Sequence, residues 1–224
     1  MSVEPKELQV RPLRNGDHMS QKEFHRNYEL MPEGYWAELL NGMVIVREPV
    51  SAPHSDAHML LGSLFMAYKA STPGVQCGDN ASVILGPKDE VQPDLLLRIL
   101  PGCGGQTSDH DRYIKGAPEL VAEISYSSRS IDLHLKKDRY KRAGVLEYIV
   151  VRLIPFDLLW FNLQQNRLVK PIDAILRSEV FPGLWISPDA LACDDYHTSI
   201  DLLNKGIRCA EHEAFAAKLD NRKR

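Results

Sequence analysis

The stretch Ala117-Pro118-Glu119-Leu120-Val121-Ala122-Glu123-Ile124-Ser125-Tyr126-Ser127-Ser128 is an apolar run with one acid, Glu123, set inside it. The run reads as a buried strand. A carboxylate in such a place is costly to bury unless a cation or hydrogen-bond donor meets it. Beyond the serines come Asp132-Leu133-His134-Leu135-Lys136-Lys137-Asp138-Arg139-Tyr140 and then Gly144-Val145-Leu146-Glu147-Tyr148-Ile149-Val150-Val151. The whole reads as strand, Ser-rich turn, short helix, glycine stop and strand. Asp132, Lys136 and Tyr140 stand at i, i+4 and i+8, which puts them on one helix face.

Upstream, Val91-Gln92-Pro93-Asp94-Leu95-Leu96-Leu97 holds a second acid at a strand's start, behind a proline. Leu95 to Leu97 is apolar without alternation, as in a strand covered on both faces. Further back, Trp36-Ala37-Glu38-Leu39-Leu40, Asn41-Gly42 and Met43-Val44-Ile45-Val46 form a hairpin signal, because Asn-Gly suits a type I′ turn. Glu38, Asp94 and Glu123 therefore all lie in or at the edge of apolar strands. Carboxylates meeting at strand ends make a site for a hard divalent cation, and such an ion can activate water against a phosphodiester. Lys136 is the candidate cation that stabilises charge in the transition state. The plainer alternatives are acids that face solvent at strand edges and an ordinary Asp132–Lys136 surface pair.

The remaining elements are read outward from these. Ser20-Gln21-Lys22-Glu23 fits a capping box opening a helix through Leu30. A second helix runs from His54 to about Ala70, with short strands at 75–77 and 82–85. Pro101 to Gly116 reads as a Gly-rich polar loop. Leu158 to Leu163 and Arg167 to Val169 read as a hairpin, and Phe181-Pro182-Gly183-Leu184-Trp185 as a hydrophobic edge. From about Thr198 to Leu219 the pattern gives a C-terminal helix or a broken pair. His54 and His58 make an i, i+4 pair, but Ser55, Asp56 and Ala57 lie between them, without the Glu that zinc proteases place after the first His. His110 lies in the long loop and is expected to face water. The fold class is α/β, with a mixed sheet of the α+β kind flanked by helices. The divisions are a polar arm at 1–19, one core domain at 20–190 and a helical extension at 191–224.

Composition narrows the setting. With 224 residues, 44% apolar and 25% charged, the chain is long enough for one substantial core. A formal charge of −3 exerts no overall pull on nucleic acid. A local basic cluster at Lys136, Lys137, Arg139, Lys141 and Arg142 could do so, or could be a solvated helix face. Cys77, Cys103, Cys193 and Cys209 form no C-x-x-C pair, so reduced thiols in a cytoplasm are expected. No apolar run reaches the ~18 residues that span a bilayer, and the N-terminus carries no signal-peptide core.

Several fragments together resemble one family. They are Glu38-Leu39-Leu40-Asn41-Gly42, Pro53-His54, Gln92-Pro93-Asp94-Leu95, Pro118 through Ser125, then Asp132, Lys136, Tyr140 and Gly144 through Tyr148. The ordered set resembles the Uma-type restriction endonucleases of the PD-(D/E)XK superfamily, from about Ser20 to Trp185. The resemblance implies a restriction-endonuclease-like core, with Asp94 and Glu123 as ligands of Mg²⁺ or Mn²⁺ and Glu38 as an accessory acid. The sequence departs from the superfamily pattern at Ser125, where E-x-K has lysine, and Lys136 on the next helix is the substitute. Tyr126 stands where proline is usual, Ile149 where Trp is usual, and Arg152-Leu153 where Asp-Pro is expected. His54, Gln92, Ser125 and Tyr140 are expected on the substrate side.

The reading is thus a cytoplasmic, metal-dependent endonuclease hydrolysing DNA, with Glu38, Asp94, Glu123 and Lys136 as its catalytic set. Duplex DNA is the expected partner, no membrane is involved, and a two-fold dimer would suit cutting both strands. The alternatives are an inactive nuclease-fold module that binds DNA or a partner, and an RNA-directed nuclease.

Overall fold

The computed structural model describes residues 12–47, 49–126 and 130–223. Residues 1–11 of the expected arm and Ser127-Ser128 of the Ser-rich turn lie outside the described residues. Residues 12–19 of that arm run along β2 with one buried side chain. Leu13 is buried beside Phe24, Leu39 and Val44, and His18 bridges to Met43.

The helix α1 (Gln21–Tyr28) is capped by Ser20, whose Oγ accepts from the Glu23 N–H. In the hairpin of β1 (Ala37–Leu40) and β2 (Met43–Val46), Asn41 and Gly42 both have positive φ, as a type I′ turn demands. The helix α2 (Ala52–Ala70) starts two residues earlier than the sequence suggests, with Pro53 in its first turn. Then come β3 (Val75–Asp79), β4 (Val83–Gly86), β5 (Asp89–Val91) and β6 (Leu95–Ile99). The stretch read as a loop from Pro101 to Gly116 contains a small hairpin, β7 (Ser108–His110) and β8 (Tyr113–Lys115). Its strands are short, and β7 is polar and exposed, so they carry no alternating apolar signal; pairing with β4 supplies what the sequence lacks.

The central strand β9 (Leu120–Ser125) is buried along its whole length. A π-helical turn, Ile131–Lys136, leads into α3 (Lys137–Ala143), and Gly144 ends it at φ 100°. The strands β10 (Glu147–Leu153), β11 (Phe156–Asn162) and β12 (Arg167–Leu168) follow, then a two-stranded ribbon of β13 (Leu176–Arg177) and β14 (Trp185–Ile186). The chain closes with α4 (Pro188–Ala192), α5 (Tyr196–Gly206) and α6 (Ala210–Lys223), so the C-terminal pattern is a broken helical pair.

The mixed α/β class holds, but the strands form two six-stranded sheets rather than one. The first has the order β2-β1-β5-β4-β8-β7 and the second β12-β11-β10-β9-β6-β3. Each is mixed, with one parallel pair: β4 with β8, and β9 with β10. One core lies between α2 and the second sheet, where Leu61, Phe65 and Tyr68 meet Leu97, Ile124 and Trp160. Leu203 of α5 and Leu219 of α6 enter the same core. A Cβ on Gly206 would stand 2.1 Å from the Gly183 carbonyl, so only glycine lets the end of α5 lie there. The other large core joins Leu40, Val83 and Val91 of the first sheet to Val121, Tyr140 and Tyr148. Each such side chain contributes about 1.5–3 kcal/mol when fully buried.

Glu147, at the start of β10, ties this frame to the connection between the two strands of the ribbon. It is fully buried, accepting from Ser178 Oγ at 2.6 Å and from the Glu179 N–H at 2.8 Å. Burial pushes its carboxyl up to about 7 from 4.5, despite these bonds. The native state therefore binds a proton that the unfolded chain releases, so this group's contribution to stability falls as pH rises from 4.5 toward 7. Glu147→Gln cannot titrate. In urea unfolding at pH 5 and pH 8, the variant is expected to gain on wild type by about 2.5 kcal/mol with rising pH, at ~1.4 kcal/mol per pH unit. A pH-independent difference would contradict this account of Glu147.

Candidate active site

A cleft of about 470 Å³ opens where the two sheets meet, and its lining includes Glu38, Arg47, His54, Asp94, Glu123, Asp132 and Lys136. Glu38, Asp94 and Glu123 each reach it by a different route. Glu38 comes from β1 and Glu123 from the middle of β9, while Asp94 stands in the crossover between β5 of the first sheet and β6 of the second. That crossover cannot continue a ladder at Pro93, which lacks an N–H. Glu38 Oε1 takes the Gln92 N–H at 2.8 Å instead.

Lys136 Nζ lies 2.8 Å from Glu38 Oε2 and 2.9 Å from Glu123 Oε1. It is only 4% exposed, which excludes the surface pair with Asp132. Tyr140 OH donates to the same Glu123 oxygen at 2.7 Å. Asp94 is held from three sides. Its Oδ1 meets Arg47 Nη2 at 2.6 Å, and its Oδ2 accepts from the Ile124 N–H at 2.7 Å and lies 3.1 Å from His54 Nε2.

The electrostatics follow from this packing. Burial pushes the Glu123 carboxyl up to about 8; Lys136 opposes the rise, and the charges of Asp94, Glu38 and Asp132 add to it. Lys136 is shifted above the ordinary lysine range, because Glu123 and Glu38 outweigh its burial. Asp94 is held well below the usual carboxylate range, since His54 and Arg47 outweigh its burial.

The structure thus brings Glu38, Asp94, Glu123 and Lys136 into one cleft. The residues expected on the substrate side are placed differently. Tyr140 is fully buried and acts through Glu123. Gln92 is buried, and its side chain donates to Tyr28 OH and Ser82 Oγ. Ser125 is buried, its Oγ without a hydrogen-bond partner among the described residues. His54 does line the cleft, but its Nε2 is turned to Asp94. His58, its partner in the i, i+4 pair, stands against the Asp94 carbonyl and Asp79, while His110 is exposed, as expected of it. The basic cluster does not form one patch: Lys136 is buried, Arg139 pairs with Asp89 and Lys137 sits over the Phe161 ring, while Lys141, bonded to Asn166, and Arg142, paired with Asp138, stay on the exposed helix face.

Arg47 is the residue that sequence reasoning missed. Its guanidinium meets Asp94, the Gln92 carbonyl at 3.0 Å and Asn80 Oδ1 at 3.2 Å. The signal was present in the hairpin. The Asn-Gly turn sets Glu38 opposite Ile45, and the period of two then puts Arg47 on the face of Ile45.

The donor set suits a hard divalent ion: oxygens of Asp94 and Glu123 on one cleft, with four acids there (Glu38, Asp94, Glu123 and Asp132) against the two cations Arg47 and Lys136. Among the described residues no three acid or histidine side chains already stand together in ligand positions; Arg47 and Lys136 hold the facing oxygens. Charges of +2 and +1 repel by about 8 kcal/mol at ~4 Å and an effective dielectric of ~20. An ion on Asp94 would thus stand against the charge of the Arg47 guanidinium on the same carboxylate.

Fold and site together define a mixed α/β protein with an acid-and-lysine cleft at the seam of two sheets. The chain belongs to the Uma2 family, described as "Putative restriction endonuclease", whose pattern matches residues 22–190. No curated protein sequence matches it. Among solved structures it is similar to a "putative nuclease belonging to DUF820" from Anabaena variabilis ATCC 29413. The two share 15% identity and a TM-score of 0.61, over 79% of this chain and 98% of the other. That likeness establishes the fold. No helix of the described residues is long and apolar enough to cross a membrane.

Removing the amine leaves two buried acids without their cation. Lys136→Met is expected to lose about 3–5 kcal/mol in urea unfolding, and the added Glu123→Gln change to restore part of that loss. A loss below ~1 kcal/mol, within the range of exposed pairs, would contradict the buried bridge.

Proposed function

We propose that this protein is a metal-dependent endonuclease that hydrolyses DNA phosphodiester bonds, with Mg²⁺ or Mn²⁺ held by Asp94 and Glu123. The observation that carries the reading is the Lys136 ammonium, fixed by two acids on the wall of the cleft that also holds Asp94. A divalent ion there, when bound, supplies Lewis-acid polarisation of the scissile phosphate.

The chain's own residues do the rest. Glu38 and Glu123 take two of the three N–H donors of Lys136, so the amine needs no reorganisation during the reaction. The third donor orients the attacking water and stabilises charge developing on the phosphate. His54 and the Ile124 N–H fix the orientation of Asp94, and Tyr140 does the same for Glu123. Duplex DNA as substrate, a two-fold dimer and a cytoplasmic setting belong to the same reading.

One observation favours a second reading, an inactive module of nuclease fold that binds DNA or a partner. Arg47 and Lys136 already neutralise Asp94 and Glu123 from within. Nicking of supercoiled plasmid in MgCl₂ separates the two. Wild type is expected to nick, and Asp94→Ala and Lys136→Ala to lose about 10²-fold or more, the scale of removing a transition-state donor. Equal activity in all three would reject the assignment, and an inactive wild type would favour the second reading.

A further inference from the structure

We propose that Arg47 is a resident cation which a metal ion must displace from Asp94, so that guanidinium and metal compete for one carboxylate. This rests on the metal-dependent reading above and adds a residue to it.

The two cations of the cleft are not equivalent. Lys136 is 4% exposed, and its two ion pairs are to the buried acids Glu38 and Glu123. Its departure would strand both. Arg47 has a side chain 18% exposed and forms one ion pair, with Asp94 at 2.6 Å, while the charges of Glu38 and Glu123 act on it without contact. Its other two partners are neutral oxygens, the Gln92 carbonyl and Asn80 Oδ1. These can go on holding the guanidinium when Asp94 is surrendered. The backbone is anchored, since the Arg47 N–H donates to the Trp36 carbonyl at 2.8 Å and extends the β1–β2 ladder. The movement required is therefore one of the side chain alone.

Asp94 also shows why a placeholder is useful. It is 1% exposed, and its Oδ2 is already committed to His54 and the Ile124 N–H. Its Oδ1 is the oxygen that meets Arg47. With Arg47 in place the acid is neutralised and correctly turned before any ion arrives, and the cost is a lower apparent affinity for the ion. That affinity is reduced by the fraction of molecules in which Asp94 is free of the guanidinium.

The test is calorimetric titration of the full chain with MnCl₂ at 150 mM salt, paired with thermal melts in EDTA and in MnCl₂. Arg47→Gln is expected to bind Mn²⁺ about tenfold tighter than wild type, as follows if Asp94 is free in about a tenth of wild-type molecules. It is also expected to melt lower than wild type in EDTA and to recover in MnCl₂. Arg139→Gln removes an equal charge from the neighbouring helix without touching Asp94, and is expected to bind as wild type does. Should Arg47→Gln not fold, side-chain nitrogen NMR of wild type gives the same answer, because the Arg47 guanidinium signal should shift along the MgCl₂ binding curve. Equal or weaker Mn²⁺ binding by Arg47→Gln, equal tightening by Arg139→Gln, or a motionless Arg47 signal would overturn displacement while leaving metal binding intact. Absence of binding in wild type and Arg47→Gln alike would overturn the metal-dependent reading and this inference together.

Discussion

The ammonium of Lys136, buried between Glu38 and Glu123, is the contact on which the rest depends. It joins three elements that are remote in sequence: β1 of the first sheet, β9 of the second, and the helical turn leading into α3. Taking these charges out of water costs several kcal/mol per ion, and the cost is offset only when geometry and hydrogen bonds are both complete. Here they are completed by the Gln92 N–H on Glu38 and by Tyr140 on Glu123. Replacing such an arrangement with apolar side chains is often neutral or stabilising in other proteins. Its place on the wall of a cleft is what the proposed chemistry draws on.

The seam between the sheets explains where the cleft lies. The chain leaves the first sheet at Val91 and enters the second at Leu95, and the three residues between cannot be paired as a ladder. Their polar groups are satisfied by side chains and by neighbouring backbone. Glu38 accepts from the Gln92 N–H, the Gln92 carbonyl accepts from Arg47, and the Asp94 carbonyl accepts from the Asn80 N–H. The accounting that a buried crossover imposes on its backbone is thus met by the residues that line the cleft. Structure and site are one set of contacts here.

Much of this was legible in the sequence, for identifiable reasons. Asn41-Gly42 fixes a turn by its φ values, and the run around Glu123 is too apolar to be anything but a covered strand. An acid on such a strand must have a partner; helical spacing made Lys136 a candidate, and the family resemblance singled it out. The division into two sheets was not legible, because β5, β7 and β8 are short and the first sheet is closed by the β1–β5 and β4–β8 pairings between strands distant in the chain. Tyr140 was placed on the correct helix face, but the sequence could not show that this face is sealed from solvent. Arg47 was hidden by its position one residue beyond β2, although the hairpin register held the information.

Anomalous diffraction from crystals soaked in MnCl₂ addresses the central claim most directly, because it locates the ion without recourse to activity. The account predicts a peak in contact with carboxylate oxygens of Asp94 and Glu123, with Lys136 still between Glu38 and Glu123 and Arg47 withdrawn from Asp94. A cleft without a peak under conditions that load manganese elsewhere, or a peak held by other residues, would contradict it.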